Sequence, residues 1–245
     1  MNLEILVADL HIHSVLSPCA RRDMLPHCIV LEALERGIDA IALTDHNACD
    51  NVAVTLELGG RFGLWVIPGI EIETREEIHL LSYFPTLELL ASFNRVVEEH
   101  LLPIPLERDI WGEEWVIDEE GNVREKKTNL LAVPLSLSLE EVVQEVEHCG
   151  GVVIPAHVDR KSYSIISQLG FIPSGLSLKA LEASSFKEIE KMDSSLTRYA
   201  LLSFSDAHAL EEIGRRTTSF FVASRSFDEF LLALSGEKER KVLSF

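Results

Sequence analysis

The run "VADLHIHS", Val7 to Ser14, ends an apolar stretch on two histidines, His11 and His13, separated by one residue. Residues i and i+2 of a strand point to the same side, so both imidazoles would face one centre. The pattern recurs down the chain. "IALTDHN" delivers Asp45 and His46, "PGIEI" delivers Glu71, and "EIHLLSY" places His79 eight residues later. "IPAHVDR" then carries His157, and "SFSDAH" carries Asp206 and His208. Six of the nine histidines therefore fall at or beside the ends of strand-like runs. Imidazoles and carboxylates are the ligands that zinc, manganese and iron prefer, and several carboxylates among histidines suit more than one ion. A lone histidine after a strand is usually a hydrogen-bonded loop residue. Recurrence at five strand ends is what argues for a shared metal centre. His27, His100 and His148 lie on helical stretches without such neighbours and are read as ordinary helix residues.

These side chains need elements that bring them together. Short β-branched runs predict strands at 3–10, 38–43, 64–67, 78–83, 152–155, 180–183, 201–204 and 219–222. Helical periodicity predicts helices at 26–36, 50–58, 87–100, 139–149, 162–169 and 227–234. Ser138 with Glu141 and Ser226 with Glu229 have the spacing of capping boxes, and Gly37 and Gly150–Gly151 follow helices. Strand, helix, strand in this order implies a parallel sheet with crossover helices, and 245 residues suit one α/β barrel. In such a barrel the strand ends converge on one face, where active sites are built. The stretch 101–134 breaks the rhythm with prolines, Trp111, Trp115 and an "EEGN" turn, and reads as an inserted β-hairpin. The whole chain is expected to form one domain, 1–245.

In their order, "DLHIHS", "LTDHN", "PGIEI", "EIHLLSY", "IPAHVDR" and "FSDAH" resemble the successive motifs of the polymerase and histidinol phosphatase (PHP) family, from Asp9 to His208. The resemblance implies a distorted seven-stranded (β/α)7 barrel, two or three divalent metal ions at the strand ends, and hydrolysis of phosphoesters. It assigns metal-ligand roles to His11, His13, His46, Glu71, His79, His157, Asp206 and His208, with Glu71 usually bridging. Asp9 and Asp45 lie beside ligands and suit a role in orienting imidazoles. Many family members carry "SDG" after the first motif. This chain reads "SVLSPCARRDMLP", which leaves Cys19 and Asp23 as further candidate ligands, or as a small buried residue and a helix-start acid.

Clustered cations would bring a bridging water near neutral pKa as the nucleophile. Asp206 or an outer histidine would assist the leaving group. Arg160, just past His157, would grip phosphate oxygens, unless it forms only a surface ion pair. Arg215 and Arg216 read as solvated.

With 40 acidic and 22 basic residues the formal charge is −18. Such a balance repels phosphate backbones, so a small phosphorylated substrate (a phosphomonoester or nucleotide) is expected, without tight duplex nucleic-acid binding. Other readings are an amidohydrolase-type metal enzyme, a nuclease on short oligonucleotide ends, and a metal-binding domain without catalysis. No basic n-region with an apolar core opens the chain, no apolar run is long enough to span a bilayer, and the four cysteines form no CxxC pair. A cytoplasmic, reducing location is expected.

Overall fold

A computed structural model describes residues 3–243 apart from 186–188, 190, 192 and 193. Its strands are β1 (Glu4–Ile12), β2 (Ala40–Leu43), β3 (Trp65–Glu73), β4 (His79–Tyr83), β5 (Trp115–Ile117), β6 (Val123–Lys126), β7 (Val152–Pro155), β8 (Ala180–Glu182), β9 (Ala200–Leu202), β10 (Thr218–Val222) and β11 (Lys241–Leu243). Seven of them form one curled sheet in the order β11-β10-β1-β2-β3-β4-β7. The parallel pair β8–β9 lies between the two sides of this sheet. It is joined to the end of β7 by Val158 N donating to Glu182 O (2.8 Å) and to β1 by His13 N donating to Ala207 O (2.9 Å).

The expected all-parallel arrangement is not what the chain builds. β1–β2, β2–β3 and β8–β9 are parallel, but β3–β4, β4–β7 and β1–β10 are antiparallel. Only residues 74–78 join β3 to β4. That link is too short for a crossover helix, which forces a hairpin.

The helices are α1 (Pro26–Glu35), α2 (Val52–Phe62), α3 (Leu87–His100), α4 (Arg108–Trp111), α5 (Leu139–His148), α6 (Ile165–Leu169) and α7 (Phe227–Ser235). α5 has the full capping box, with Ser138 and Glu141 bonding reciprocally. At α7 only half forms: Ser226 accepts from Glu229 N, while the Glu229 carboxylate turns to Arg240 and Ala223 N.

Two apolar layers hold the sheet. Outside, Ile41, Leu43, Val66, Ile70 and Leu80 pack with residues of α1, α2, α3 and α5. Inside, Leu6, Ala8, Leu10, Ala40, Ala42, Ile67, Leu81, Tyr83, Ile154, Ala156, Ala180, Leu202 and Phe204 form a second core. Phe230 of α7 joins this core, with its ring against Tyr83 and Phe220. Alanine at many inner positions lets the sheet curl tightly. Gly69 serves the same end: a Cβ there would lie 3.0 Å from Thr44 Cγ2 and 3.2 Å from Tyr83 Cδ1.

Within 101–134 the chain forms α4 and the antiparallel pair β5–β6. This segment leans on the loops after β1 and β2. Trp115 N donates to Val15 O, Asn51 clasps Trp115 O and Ile117 N, and Leu16, Ala48, Val116 and Leu131 form a small apolar cluster. Arg22 and Lys126 both lie over the Trp115 ring. Among the described residues no helix is long and apolar enough to cross a membrane.

Candidate metal centre

On β2, β3, β8 and β9 the inner face runs from apolar to ligand-like along one period-two track. β2 continues from Ala40 and Ala42 to Thr44 and His46. β3 runs from Ile67 through Gly69 to Glu71 and Glu73, β8 from Ala180 to Glu182, and the β9 track from Leu202 and Phe204 to Asp206. β4 runs the other way, so His79 reaches the same mouth by opening its strand rather than ending one. β7 and β1 break the register: His157 follows inward Ile154 and Ala156 out of phase, at a turn with positive φ. Leu6, Ala8 and Leu10 face inward, yet so do His11 and His13. The shift between Asp9 and Ile12 in the β1–β2 ladder supplies the missing residue and re-aims the strand end.

Glu71 is the hub. Its Oε1 lies 3.0 Å from His79 Nδ1, 3.3 Å from His11 Nε2 and 3.7 Å from His157 Nε2. Its Oε2 lies 3.1 Å from His46 Nδ1 and 3.3 Å from His13 Nε2. Asp206 Oδ1 faces His11 Nε2 at 3.2 Å and His13 Nε2 at 3.3 Å. Three donor sets overlap here: His11, His13 and Glu71; His46, Glu71 and His79; and His13, His46 and His208.

The outward nitrogens of three rings are fixed by acceptors. His11 Nδ1–H donates to Glu182 (3.0 Å), and His208 Nδ1–H donates to its neighbour's carbonyl, Asp206 O (2.9 Å). Ser17 Oγ gives its only proton to Asp45 Oδ1 (2.6 Å), so towards His13 Nδ1 (3.0 Å) it must accept. In each ring the Nε2 lone pair is thereby directed inward. Asp45 reaches the His13 ring through Ser17, not the ring of its neighbour His46. Asp9 touches no ring acceptor. Its oxygens accept from Ser205 N (3.0 Å) and Gly214 N (2.8 Å), tying β1 to the loop that carries Asp206 and His208.

Charge around the hub is strongly coupled. Burial would raise the Glu71 pKa, but His79, His11 and His46 hold it well below the ordinary carboxylate range. Burial opposes protonation of His13 and His46 too, yet the neighbouring carboxylates raise both to about 9. His11 is raised likewise by Glu182, Asp206 and Glu71. His79 and His208 go the opposite way, to about 4, chiefly through burial. Positive charge on His11, His13 and His46 is thus balanced by Glu71, Asp206 and Glu182 together.

The residues fit divalent ions. Both Glu71 oxygens, His46 Nδ1 and His157 Nδ1 are buried without a hydrogen-bond partner, which is costly unless something binds them. Donor separations of 3.0–3.3 Å match the edge of a tetrahedron whose centre lies about 2.0 Å from each donor. Asn47, His157 and Asp206 hold positive φ angles of 47°, 31° and 52°, so backbone strain gathers at this mouth.

The remaining candidates lie further out. Cys19 is exposed and belongs to none of the converging sets. Asp23 is exposed and likewise outside them. Arg160 Nη2 meets Asp206 Oδ2 at 2.6 Å with part of its guanidinium open to solvent. Arg216 is not merely solvated: it donates to Phe204 O and Ser205 O and braces the strand end before Asp206.

Sequence reasoning missed several residues. Glu182 stands alone in "ALEAS"; its signal was its place two residues after inward Ala180. Tyr163 stacks on His79 at 4.7 Å, and Glu114 of the insertion is fully buried. Neither carries a readable motif.

No family model matches the chain. It is similar to YqxK of Bacillus subtilis, with 28% identity over 97% of this chain and 64% of that protein. A shorter match, 31% identical over 82 residues, is to the phosphoribosyl 1,2-cyclic phosphate 1,2-diphosphodiesterase of Eggerthella lenta, covering 31% of this chain and 30% of that one. The fold is that of Endonuclease Q. The lesion-specific endonuclease of Pyrococcus furiosus superposes with TM-score 0.72 and 21% identity over 98% of this chain. Endonuclease Q in complex with a 27-mer duplex bearing an abasic lesion at its active site gives 0.75 and 21% over 97%. The chain spans 58% of each of those endonuclease chains.

That complex corrects the expectation of no tight duplex binding. Endonuclease Q, which shares this fold, is in complex with duplex DNA, so the expectation drawn from an overall charge of −18 does not stand. Net charge sums the whole surface, whereas binding depends on the local field. Some of the 40 acids counted do not face solvent: Glu71, Glu182, Asp206, Asp45 and Asp9 are buried or nearly so.

Proposed function

We propose that this chain is a metal-dependent hydrolase of phosphoesters, working with two or three divalent ions of the zinc, manganese or iron class. His11, His13, His46, Glu71, His79, His157, Asp206 and His208 would hold them. One observation carries the reading: a fully buried carboxylate, Glu71, whose two oxygens face five imidazoles and have no hydrogen-bond donor. When bound, such ions supply an activated water and neutralise phosphate charge. The chain does the rest. Arg160 grips a non-bridging phosphate oxygen with its open guanidinium edge while Asp206 holds the other edge. Burial would raise the Asp206 pKa, but His11 and His13 hold it far down, so Asp206 stays a carboxylate that orients groups and neither donates nor takes up a proton. The substrate is read as a small phosphomonoester or nucleotide.

A second reading, cleavage of phosphodiesters in nucleic acid, is supported by the likeness to Endonuclease Q over nearly all of this chain. One experiment separates them. Elemental analysis of purified protein should find two or three equivalents of metal. The metal-loaded protein is then offered phosphomonoesters, nucleotides, short oligonucleotides, an abasic duplex and cyclic amides. Release of phosphate from a small ester supports the first reading, and strand cleavage the second. Turnover of cyclic amides alone would overturn both.

A further inference from the structure

Glu182 lies at the end of β8 with its carboxylate buried on every side. Both oxygens are within reach of His11 Nδ1, at 3.0 and 3.2 Å, and Oε2 also accepts from His157 N at 2.8 Å. Its own carbonyl accepts from Val158 N at 2.8 Å. One residue therefore grips a ring from β1 and the backbone after β7. The second grip matters because His157 holds a left-handed φ of 31°, a conformation that a β-carbon resists unless its surroundings impose it. The clamp is returned from the other side: Asp159 accepts from Ser184 N (2.9 Å) and Ser185 N (3.0 Å) just beyond β8.

We propose that Glu182 is a positioning residue of the centre, fixing His11 in the tautomer whose Nε2 lone pair points at the hub and locking the turn that presents His157. This rests on the metal-binding reading of the same site. A carboxylate accepts only, so the nitrogen facing it must carry the proton. Glutamine has the same shape but puts an NH2 donor in place of one of the two accepting oxygens. With its oxygen toward His157 N, its amide hydrogens meet His11 Nδ1–H and push that proton to Nε2. With its oxygen toward His11, they meet the His157 N–H.

The test titrates metal-free wild type, Glu182→Gln, Glu182→Asp and the exposed control Glu120→Gln with Zn2+ alone and Mn2+ alone, following heat of binding. Loss of an outer carboxylate behind a ligating histidine weakens metal binding about 10- to 100-fold. Glu182→Gln is expected in that range, with Glu182→Asp recovering part of the loss and Glu120→Gln matching wild type. Two further measurements separate positioning from folding. The thermal midpoint of metal-free Glu182→Gln should stay near that of wild type. Nitrogen–proton correlation spectra of the zinc-loaded proteins should show the His11 proton on Nδ1 in wild type and lost from it in Glu182→Gln. Wild-type affinity in Glu182→Gln, or weakened binding with the His11 proton unmoved, overturns the proposal. Wild type that takes up neither ion overturns the metal reading itself, before any substitution is compared.

Discussion

Asp206 and Arg160 form a buried-to-rim ion pair, with Oδ2 2.6 Å from Nη2. The other oxygen of Asp206 faces His11 and His13, so the carboxylate joins the hub to the one arginine at its edge. Arg160→Ala should raise KM for a phosphoester roughly 10- to 100-fold, the equivalent of one charged hydrogen bond, while metal content stays at the wild-type level. Arg160→Lys should restore only part, because an ammonium lacks the fork that serves Asp206 and a phosphate together. Steady-state kinetics beside elemental analysis checks this. An unchanged KM in Arg160→Ala would leave Arg160 as Asp206's partner alone.

Replacing Glu71 removes the carboxylate that five imidazoles face. Glu71→Ala and His13→Ala should each lose metal during purification and lose turnover with it. Turnover surviving in either variant would place the chemistry elsewhere. Cys19→Ser, by contrast, should keep the wild-type metal stoichiometry, since that thiol lies outside the converging donor sets.

Asp45 satisfies three buried donors: Ser14 N, Ser14 Oγ and Ser17 Oγ. Asp45→Ala orphans all three and should cost on the order of 3 kcal/mol. For a chain of this length that lowers the thermal midpoint by roughly 6–12 °C, readable by calorimetry. A drop of only a degree or two would show that water replaces the carboxylate.

Glu114 gives a pH prediction away from the hub. Burial lifts its pKa from 4.5 to about 7, and its Oε2 has no hydrogen-bond partner. The folded state keeps a proton that the unfolded chain has released. The associated stability is complete below about pH 4.5 and is lost as pH rises through about 7. In chelator, Glu114→Gln should therefore flatten the fall in stability between those values and gain on wild type at pH 8. Denaturant unfolding at several pH values measures it. Parallel curves for the two proteins would mean that Glu114 ionises freely.

Chelation should remove activity reversibly. Because Glu71 is then surrounded by imidazoles with no ion to share, the stripped protein should also unfold at a lower temperature than the loaded one, by an amount that grows with free metal concentration. Identical midpoints with and without zinc or manganese would count against bound ions.

Residue type and spacing were enough to read the side chains that converge and most of the scaffold. The six histidines, Glu71 and Asp206 were legible because period-two spacing and strand ends are local properties. Helices such as 87–100 and the capping box at Ser138 were legible for the same reason. Strand direction was not, since hairpin or crossover depends on which edges meet; β4 enters antiparallel and brings His79 in from its first residue. The register shift that turns His11 and His13 inward leaves no trace in residue type. Glu182 stayed hidden because its partners are 171 and 25 residues away in the chain. Spacing shows which atoms are available; which of them face one buried carboxylate depends on closure of the curled sheet, which sets the long-range contacts.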